Sequence, residues 1–374
     1  MMSTMKRILL FVCVLVSLSL TSQAQNWSFT STAGPYGATV YDLAITSNGT
    51  LLAGTPGGLY RSVDNGNTWS RVVVSAANNN SGVFDIEVTS GGTIYVILSL
   101  FNVNQFGPFT STDDGLTWTK MTPTGLASGS PKRIKAAPNK VSGNVVLYFV
   151  YQNSGQLYRS TDGGTTWQNS ATVSSAINDI DIDSNNKVYL STQSNSVQLS
   201  TDNGITFGIA SGSGGLSTTS TIYNATLDGS NNLYALAPDA PWRLLSGGGS
   251  WSSLKSGALT DAAYSGFVDS DGTNLYLLNT SSGKSWSATS PSGSVVWSGG
   301  GSYSGNNPNG VSAVLLQNSS TWYIGRFYAG VDKSTNSGTS WTTTSSGITG
   351  NVANSARLFR TSNGRTFYAT GSFG

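Results

Sequence analysis

The sequence predicts an all-β fold, a β-propeller built from four-stranded blades. Three observations lead to this prediction. An octet of the type Ser-Thr-Asp-x-Gly-x-Thr-Trp recurs along the chain, its closing aromatic residue returns every 40 to 49 residues, and 45 glycines among 374 residues indicate many turns. A repeat of this length with four short strands per unit is typical of a propeller blade, whose faces are buried only when consecutive blades stack.

Each octet is predicted to be the turn of a β-hairpin, because a short apolar run precedes it and another strand pattern follows it. Aspartate suits such a turn because its carboxylate accepts backbone N–H groups, and the glycine two residues later suits a positive φ. The closing aromatic residue is expected to fill the space between neighbouring sheets. Two eroded copies, 244–251 and 290–297, keep the closing tryptophan but lose the aspartate. The residues assigned to this structural role are Ser62, Asp64, Gly66, Trp69, Ser111, Asp113, Gly115, Trp118, Ser160, Asp162, Gly164, Trp167, Ser200, Asp202, Gly204, Phe207, Ser334, Asn336, Gly338 and Trp341.

These octets resemble the Asp-box, or BNR repeat, of the sialidase-like β-propellers. The resemblance covers nearly the whole chain after the first 24 residues, and it implies that the octet aspartates belong to the fold and lie away from any catalytic centre. The chain is also similar to the Asp-box propellers of xyloglucan-cleaving endoglucanases and to those of the sortilin and photosystem-assembly type. The first group implies glycoside hydrolysis and the second implies binding of proteins or peptides, and fold alone does not select between them.

The two ends of the chain determine the predicted domain organisation. Residues 1–24 have the pattern of a secretory signal, with Lys6 and Arg7 before an apolar run and small residues at its end. We therefore expect a secreted, periplasmic or cell-surface protein. Residues 25–374 are predicted to form one propeller domain with seven complete blades. A composite eighth blade, made from a strand at Trp27 and the C-terminal strands after Leu358, is expected to close the ring; the alternative is a chain truncated at Gly374.

The composition excludes several kinds of site. The chain has no histidine, and its single cysteine, Cys13, lies within the predicted signal, so Ser-His-Asp catalysis and zinc bound by histidine or cysteine are excluded. Without Lys6 and Arg7 the chain has 17 basic and 17 acidic residues and no basic run, which argues against a nucleic-acid partner. No apolar run after the signal is long enough to span a membrane. We expect no cofactor and a monomeric protein.

Ionisable residues in the first strand of several blades form the main candidate ligand site. Asp42, Asp85 and Asp179 share one position of this strand, and other charged residues occupy the same position or the one two residues later. First strands lie nearest the axis of a propeller, so these side chains are expected to line the channel and bind a polar ligand. The alternative is that they pair with one another. The remaining candidates in this set are Glu87, Arg133, Lys135, Asp181 and Arg357.

Two further candidates lie outside this pattern. Asp179, Asp181 and Asp183 alternate along one strand and are candidate calcium ligands, although the segment lacks the glycine and the bidentate glutamate of a calcium loop. Trp242, between Pro241 and Arg243, is predicted to be an exposed stacking residue for a sugar ring.

The sequence favours a binding module over an enzyme. Sialidases use an arginine triad, a tyrosine and a glutamate, whereas here no arginine lies between the signal and Arg61, and Glu87 is the only glutamate. Asp42 and Asp85 are the candidate catalytic pair of a glycoside hydrolase, for which two carboxyl groups suffice. The xyloglucan-cleaving enzymes, however, use a cleft between two propellers, and this sequence predicts one. The expected function is binding of a polysaccharide or an extracellular protein, with glycoside hydrolysis as the alternative.

Overall fold

The structure, a computed structural model, describes the chain from residue 39 to residue 370 with several gaps. The described residues are 39–76, 81–98, 107–210, 215–259, 261–270, 274–280, 282–289, 295–302, 311–327, 329–348, 356–360 and 366–370. Their regular structure consists of 30 strands without an α-helix, arranged as seven antiparallel four-stranded sheets and one two-stranded sheet. The predicted all-β propeller of four-stranded blades is thereby confirmed.

Each four-stranded sheet is one blade, and its strands follow chain order from the axis outward. Blade 1 comprises β1 (Asp42–Ile45), β2 (Leu51–Thr55), β3 (Gly58–Ser62) and β4 (Ser70–Val72). Blade 2 comprises β5 (Val83–Val88), β6 (Ile94–Leu98), β7 (Phe109–Ser111) and β8 (Thr119–Lys120). Blade 3 comprises β9 (Pro131–Ala136), β10 (Leu147–Tyr151), β11 (Gln156–Ser160) and β12 (Gln168–Thr172). Blade 4 comprises β13 (Ile177–Ile182), β14 (Val188–Thr192), β15 (Val197–Ser200) and β16 (Gly208–Ile209).

The remaining blades follow the same order. Blade 5 comprises β17 (Ala225–Leu227), β18 (Leu233–Leu236), β19 (Pro241–Leu244) and β20 (Trp251–Ser253). Blade 6 comprises β21 (Gly266–Ser270), β22 (Asn274–Asn279), β23 (Lys284–Thr289) and β24 (Val296–Ser302). Blade 7 comprises β25 (Val311–Leu316), β26 (Trp322–Arg326), β27 (Gly330–Ser334) and β28 (Thr342–Thr343). A final hairpin pairs β29 (Ala356–Arg360) with β30 (Thr366–Thr370).

The hydrophobic core lies between blades, because both faces of each second strand are buried. In β2, Leu51 and Ala53 pack against blade 7, whereas Leu52 packs against blade 2. Successive side chains of a strand point to opposite faces, so a strand covered on both sides becomes a continuous apolar run instead of an alternating one. This explains why the second strands are the most apolar segments of the repeat.

The ring closes between blade 7 and blade 1. The backbone N–H of Val40 donates to the carbonyl of Arg326 at 3.1 Å, and the indole N–H of Trp69 donates to the carbonyl of Thr344 at 2.8 Å. Side chains of both blades share one core cluster. Seven blades therefore close the ring directly. The prediction that a composite eighth blade closes it is corrected, because blade 7 contacts blade 1. The C-terminal hairpin pairs within itself, and the strand predicted at Trp27, like the signal predicted at 1–24, lies outside the described residues.

The octets form the predicted turns between the third and fourth strands. In the first copy, the Ser62 hydroxyl donates to Asp64 Oδ1 at 2.8 Å and accepts the Gly66 N–H at 2.9 Å. Asp64 then accepts the backbone N–H of Thr68 at 2.8 Å and its hydroxyl at 2.6 Å. Gly66 has φ +82°, the positive value that its position required. The same serine–aspartate–threonine bonds recur at Asp113, Asp162 and Asp202.

The closing aromatic residues pack between blades, to different extents. Trp69, Trp167, Trp251 and Trp297 are buried, with 3 to 5% of their surface exposed. Trp118, Phe207 and Trp341 are half-buried against neighbouring clusters. The expected role of these rings is thus observed in all seven blades.

The antiparallel order places the octets on one face of the ring. The turn from strand one to strand two and the turn from strand three to strand four must lie on the same face, since alternate turns of an antiparallel sheet share an end. The contact between Gln317, in the first turn of blade 7, and Asn65, in the octet of blade 1, agrees with this. The first strands begin at the opposite face, called here the entry face.

A candidate ligand site in the central channel

The first strands of all seven blades line a central cavity of about 200 Å³. The sequence predicted this location from the position of charged residues in these strands. Six carboxylates and two cationic groups line it, together with apolar and hydroxyl side chains. The charged lining residues are Asp42, Asp85, Glu87, Arg133, Lys135, Asp179, Asp181 and Asp269.

The charged residues nearer the entry face join blades 1 to 4 in sequence. Asp42 accepts the backbone N–H of Ile86 at 2.8 Å, and Asp85 accepts the backbone N–H of Ile134 at 2.7 Å. Arg133 lies between two carboxylates, at 3.0 Å from Asp85 and 3.2 Å from Asp179. Each of these contacts crosses from one first strand to its neighbour, so these residues contribute to the fold as well as to the channel surface.

A second group of charged residues lies two residues deeper, or about 7 Å along the strands. Glu87 accepts the Ala136 N–H at 3.0 Å and pairs with Lys135 at 3.3 Å. Asp269 accepts the Thr226 hydroxyl at 3.1 Å. Asp181 differs from these carboxylates, because its Oδ2 atom is buried and has no hydrogen-bond partner among the described residues. A ligand that donates a hydrogen bond would satisfy this atom.

The electrostatics of the channel follow from burial and an excess of acidic groups. Burial, together with the neighbouring charge of Asp85, raises the pKa of Asp42 to about 8. Burial also raises the pKa of Asp269 to about 6 and, with the charge of Asp179, raises the pKa of Asp181 well above its usual value. The carboxylate of Glu87 raises the pKa of Lys135 and keeps it charged. The channel therefore gains negative charge as the pH rises through the neutral range.

Several predicted site residues do not belong to the channel. Asp183 is buried in the turn after β13, where its Oδ1 accepts the N–H groups of Asn185 and Lys187 at 2.8 Å, so the structure separates it from Asp179 and Asp181 as a calcium ligand. Within the described part of the chain, no group of three or more acidic residues is arranged to hold a metal ion. The side chain of Arg357 lies outside what the structure describes.

The exposure predicted for Trp242 is wrong. Its side chain is 7% exposed, packs in the core of blade 5, and donates its indole N–H to Asp239 at 3.2 Å. Because the connection before blade 5 runs over this ring, a Cβ added to Gly215 would come within 2.5 Å of it. The flanking proline and arginine gave no indication of this cover, which residues distant in sequence provide.

Sequence reasoning did not select four polar residues of the channel, Asn224, Thr226, Asp269 and Ser312. Asn224 occupies the position of Asp179 in blade 5 and bonds to the backbone of Val268 on the next blade at 2.8 and 3.0 Å. Only ionisable residues were selected from the first-strand pattern, so the neutral Asn224 was not a candidate although it occupies the same position. Asp269 belongs to blade 6, whose octet is eroded, so its first strand had no nearby marker.

Comparison with known proteins supports the fold. Residues 78–211 match the family model described as the DUF6242 β-propeller domain, which is less than half of the chain. A search of curated proteins found no match. Among the described residues, no helix is long and apolar enough to cross a membrane.

Several solved structures share the propeller at low sequence identity. A GH74 enzyme from Niastella koreensis matches with a TM-score of 0.65 and 19% identity, covering 87% of this chain and 56% of its own. The extracellular domain of a putative one-component system from B. thetaiotaomicron matches with a TM-score of 0.57 and 12% identity, covering 90% and 43%. YCF48 bound to a D1 peptide matches with a TM-score of 0.61 and 13% identity, covering 81% and 94%. At these identities the similarity establishes the fold alone, and the chain spans little more than half of the GH74 enzyme.

Proposed function

We propose that this protein is an exported binding module that holds a polysaccharide or an extracellular protein at the entry face. The proposed export rests on the signal pattern of residues 1–24. Among the similar structures, one is an extracellular domain and another is bound to a peptide. The proposed ligand inserts a cationic or hydrogen-bond-donating group, such as a lysine side chain or a sugar hydroxyl, into the channel mouth.

The observation that carries this proposal is the unequal pairing of charges in the channel. Arg133 and Lys135 are held by Asp85, Asp179 and Glu87. Three further lining carboxyl groups, those of Asp42, Asp181 and Asp269, form none of the ion pairs found among the described residues. A donor group entering the channel would meet these acceptors, including the unsatisfied Asp181 Oδ2, in a cavity of about 200 Å³ that excludes larger groups.

The proposal is tested with immobilised libraries of oligosaccharides and peptides, followed by solution titration of the strongest binder. We expect Asp181→Asn to weaken binding at least tenfold. Asp113→Asn is the matched control, because it makes the same substitution in an octet on the opposite face and should leave affinity unchanged. Equal effects of both substitutions would show that only net charge matters, which would refute a site in the channel.

The pH dependence gives a second readout for a cationic ligand. The raised pKa values of Asp269, about 6, and of Asp42, about 8, mean that these groups lose protons between pH 5 and pH 9. A cation prefers the ionised carboxylates, so its affinity should rise over this range and its binding should release protons. Affinity that falls with rising pH would contradict the proposed contact.

Glycoside hydrolysis is a second candidate, favoured by the raised pKa of Asp42 beside a second carboxyl group, Asp85. A carboxyl group that stays protonated near neutral pH can act as a general acid. Against this, both side chains bond to the backbone of the next blade. An assay for new reducing ends on xyloglucan and other polysaccharides tests it. Activity that Asp42→Asn and Asp85→Asn both abolish in folded protein would establish hydrolysis.

A further inference from the structure

One position of the repeat is buried in six blades and partly exposed in the third. It is the residue of the third strand that lies two places before the first octet residue, and strand pairing aligns it across the blades. Tyr158 occupies it in blade 3 and remains half-buried. The equivalent residues, each at most 7% exposed, are Tyr60, Phe109, Gln198, Trp242, Trp286 and Asp332, with Trp286 of blade 6 placed by its pairing with Leu277.

Tyr158 is partly exposed because a cleft of about 420 Å³ opens beside it. The cleft lies between the connection 127–130, which leads into blade 3, and the turn from β10 to β11. In blade 5 the corresponding connection covers Trp242, as described above. This volume is within the usual range of small-ligand pockets, about 300–1,000 Å³. The cleft shares no residue with the central channel.

Two tyrosine rings form the apolar surface of the cleft. Tyr151 and Tyr158 contact each other edge to face, with ring centres 5.6 Å apart and planes at 85°. Tyr151 is fixed in place, because its hydroxyl donates to the carbonyl of Ala127 and its ring packs on Phe149 at 4.9 Å. The backbone of Gly129 packs against this ring, since a Cβ there would come within 3.0 Å of it. The Tyr151 half of the aromatic surface is therefore held in place before any ligand arrives.

The rim of the cleft is polar and carries no carboxylate, lysine or arginine. Gln152, Asn153 and Gln156 are exposed there, and their side-chain amides make no hydrogen bond to other residues that the structure describes. Each amide offers both a donor and an acceptor. The hydroxyl groups of Ser128 and Ser130 add further hydrogen-bonding groups. Such a rim suits a ligand with many hydroxyl groups and no charge.

We propose that this cleft binds a neutral saccharide. A pyranose ring has an apolar C–H face and a margin of hydroxyl groups, so it can pack its face on Tyr158 while the hydroxyls bond to the amides. Tyrosine provides a large contact area with few rotatable bonds, which keeps the entropic cost of binding low. The sequence predicted a sugar-stacking aromatic residue at Trp242 of blade 5. Tyr158 occupies the equivalent position in blade 3, and it is this ring that remains accessible. This inference concerns a second site and does not depend on the channel.

The proposal is tested by titrating the purified protein with neutral oligosaccharides of glucose, xylose, galactose and mannose, followed by calorimetry and by NMR. Tyr158→Ala should weaken binding of the preferred saccharide at least tenfold, and Tyr158→Phe, which keeps the ring, should weaken it less than threefold. Tyr223→Ala is the control, because Tyr223 is an exposed tyrosine outside the cleft. A thermal melt of each variant checks that it is folded.

A variant on the rim keeps the test valid if Tyr158→Ala is unstable. Gln156→Ala changes an exposed side chain and should weaken the same saccharide about threefold to tenfold. Asp181→Asn in the channel should leave this affinity unchanged, which separates failure of this proposal from failure of the proposed function. The proposal would be overturned if no neutral saccharide bound. It would also be overturned if Tyr158→Ala weakened the binding of peptides but not of saccharides.

Discussion

Aspartate has opposite roles in the octet turns and in the central channel. In the octets, the hydroxyl and N–H of Thr68 lower the pKa of Asp64 to about 2, and Thr117 and Thr166 do the same for Asp113 and Asp162. In the channel, burial raises the pKa of Asp42 to about 8. Partners that donate to the ionised form stabilise it in the turns, whereas removal from water disfavours it in the channel. The residue type is the same, and the surroundings determine the charge.

The difference also separates fold from function. The octet aspartates have their acceptor atoms saturated by nearby residues of the same turn, so they have little capacity left for a ligand. The channel contains carboxylates whose partners are on other blades, and one of them retains an unsatisfied oxygen. The resemblance to Asp-box propellers implies a structural role for the octets, and their hydrogen bonds agree with that role.

Removal of a channel carboxylate that pairs with a cation should have the largest effect on stability. Asp85→Ala deprives Arg133 of one of its two carboxylates and Ile134 of its acceptor. Loss of one partner from a buried ion pair typically costs several kcal/mol, so we expect the free energy of unfolding to fall by about 3 kcal/mol. Urea denaturation at pH 7 measures it. A loss no larger than that caused by replacing an octet aspartate would show that Asp85 contributes no more to stability than the octets do.

The pH dependence of stability should differ between the two regions. The pKa of Asp42 is higher in the folded protein than in the unfolded chain, so its contribution is complete below about pH 4 and is lost as the pH rises towards 8. Asp42→Asn should remove this loss, which we place at about 2 kcal/mol between pH 4 and 8 after allowing for partial solvent screening. Unfolding curves of both proteins across this range test the sign.

The octets should show the opposite dependence. The pKa of Asp64 is lowered to about 2, so its contribution is present above about pH 4 and is lost as the pH falls through 2. Asp64→Asn should therefore flatten the acid side of the stability profile and leave the range from pH 5 to 8 unchanged. A change confined to neutral pH in this variant would show that the two regions had been assigned the wrong roles.

Replacing one octet aspartate should have the smallest effects. Asp162→Ala removes the bonds to Ser160 and Thr166 and should cost about 1–2 kcal/mol, the scale of a hydrogen bond to a charged group. Asp162→Asn should cost less than about 1 kcal/mol, because Asn336 naturally fills this position in blade 7 and accepts the Ser340 N–H at 2.8 Å. Comparing the two variants by urea denaturation separates the shared acceptor oxygen from the charge.

Local pattern predicted the blades well and their exposed surfaces poorly. The octets identified the hairpin turns because the bonds of Asp64 join residues within four positions of one another. The first-strand pattern placed Asp85, Arg133 and Asp179 together for a similar reason, since the repeat fixes the depth of each position in the ring. By contrast, Trp242 is covered by a connection that begins about thirty residues earlier, and no property of its neighbours records that contact.

The sequence alone determined a ring of four-stranded blades, the turns that build them and the charged lining of the axis, because these features repeat and depend on short-range spacing. Only the tertiary structure decided that blade 7 meets blade 1 directly, which carboxylates are paired, and which aromatic ring of the third strands is left open. Those outcomes depend on how connections of different length cross the faces of neighbouring blades. Contacts of that kind join residues far apart in the chain, where sequence spacing carries no information.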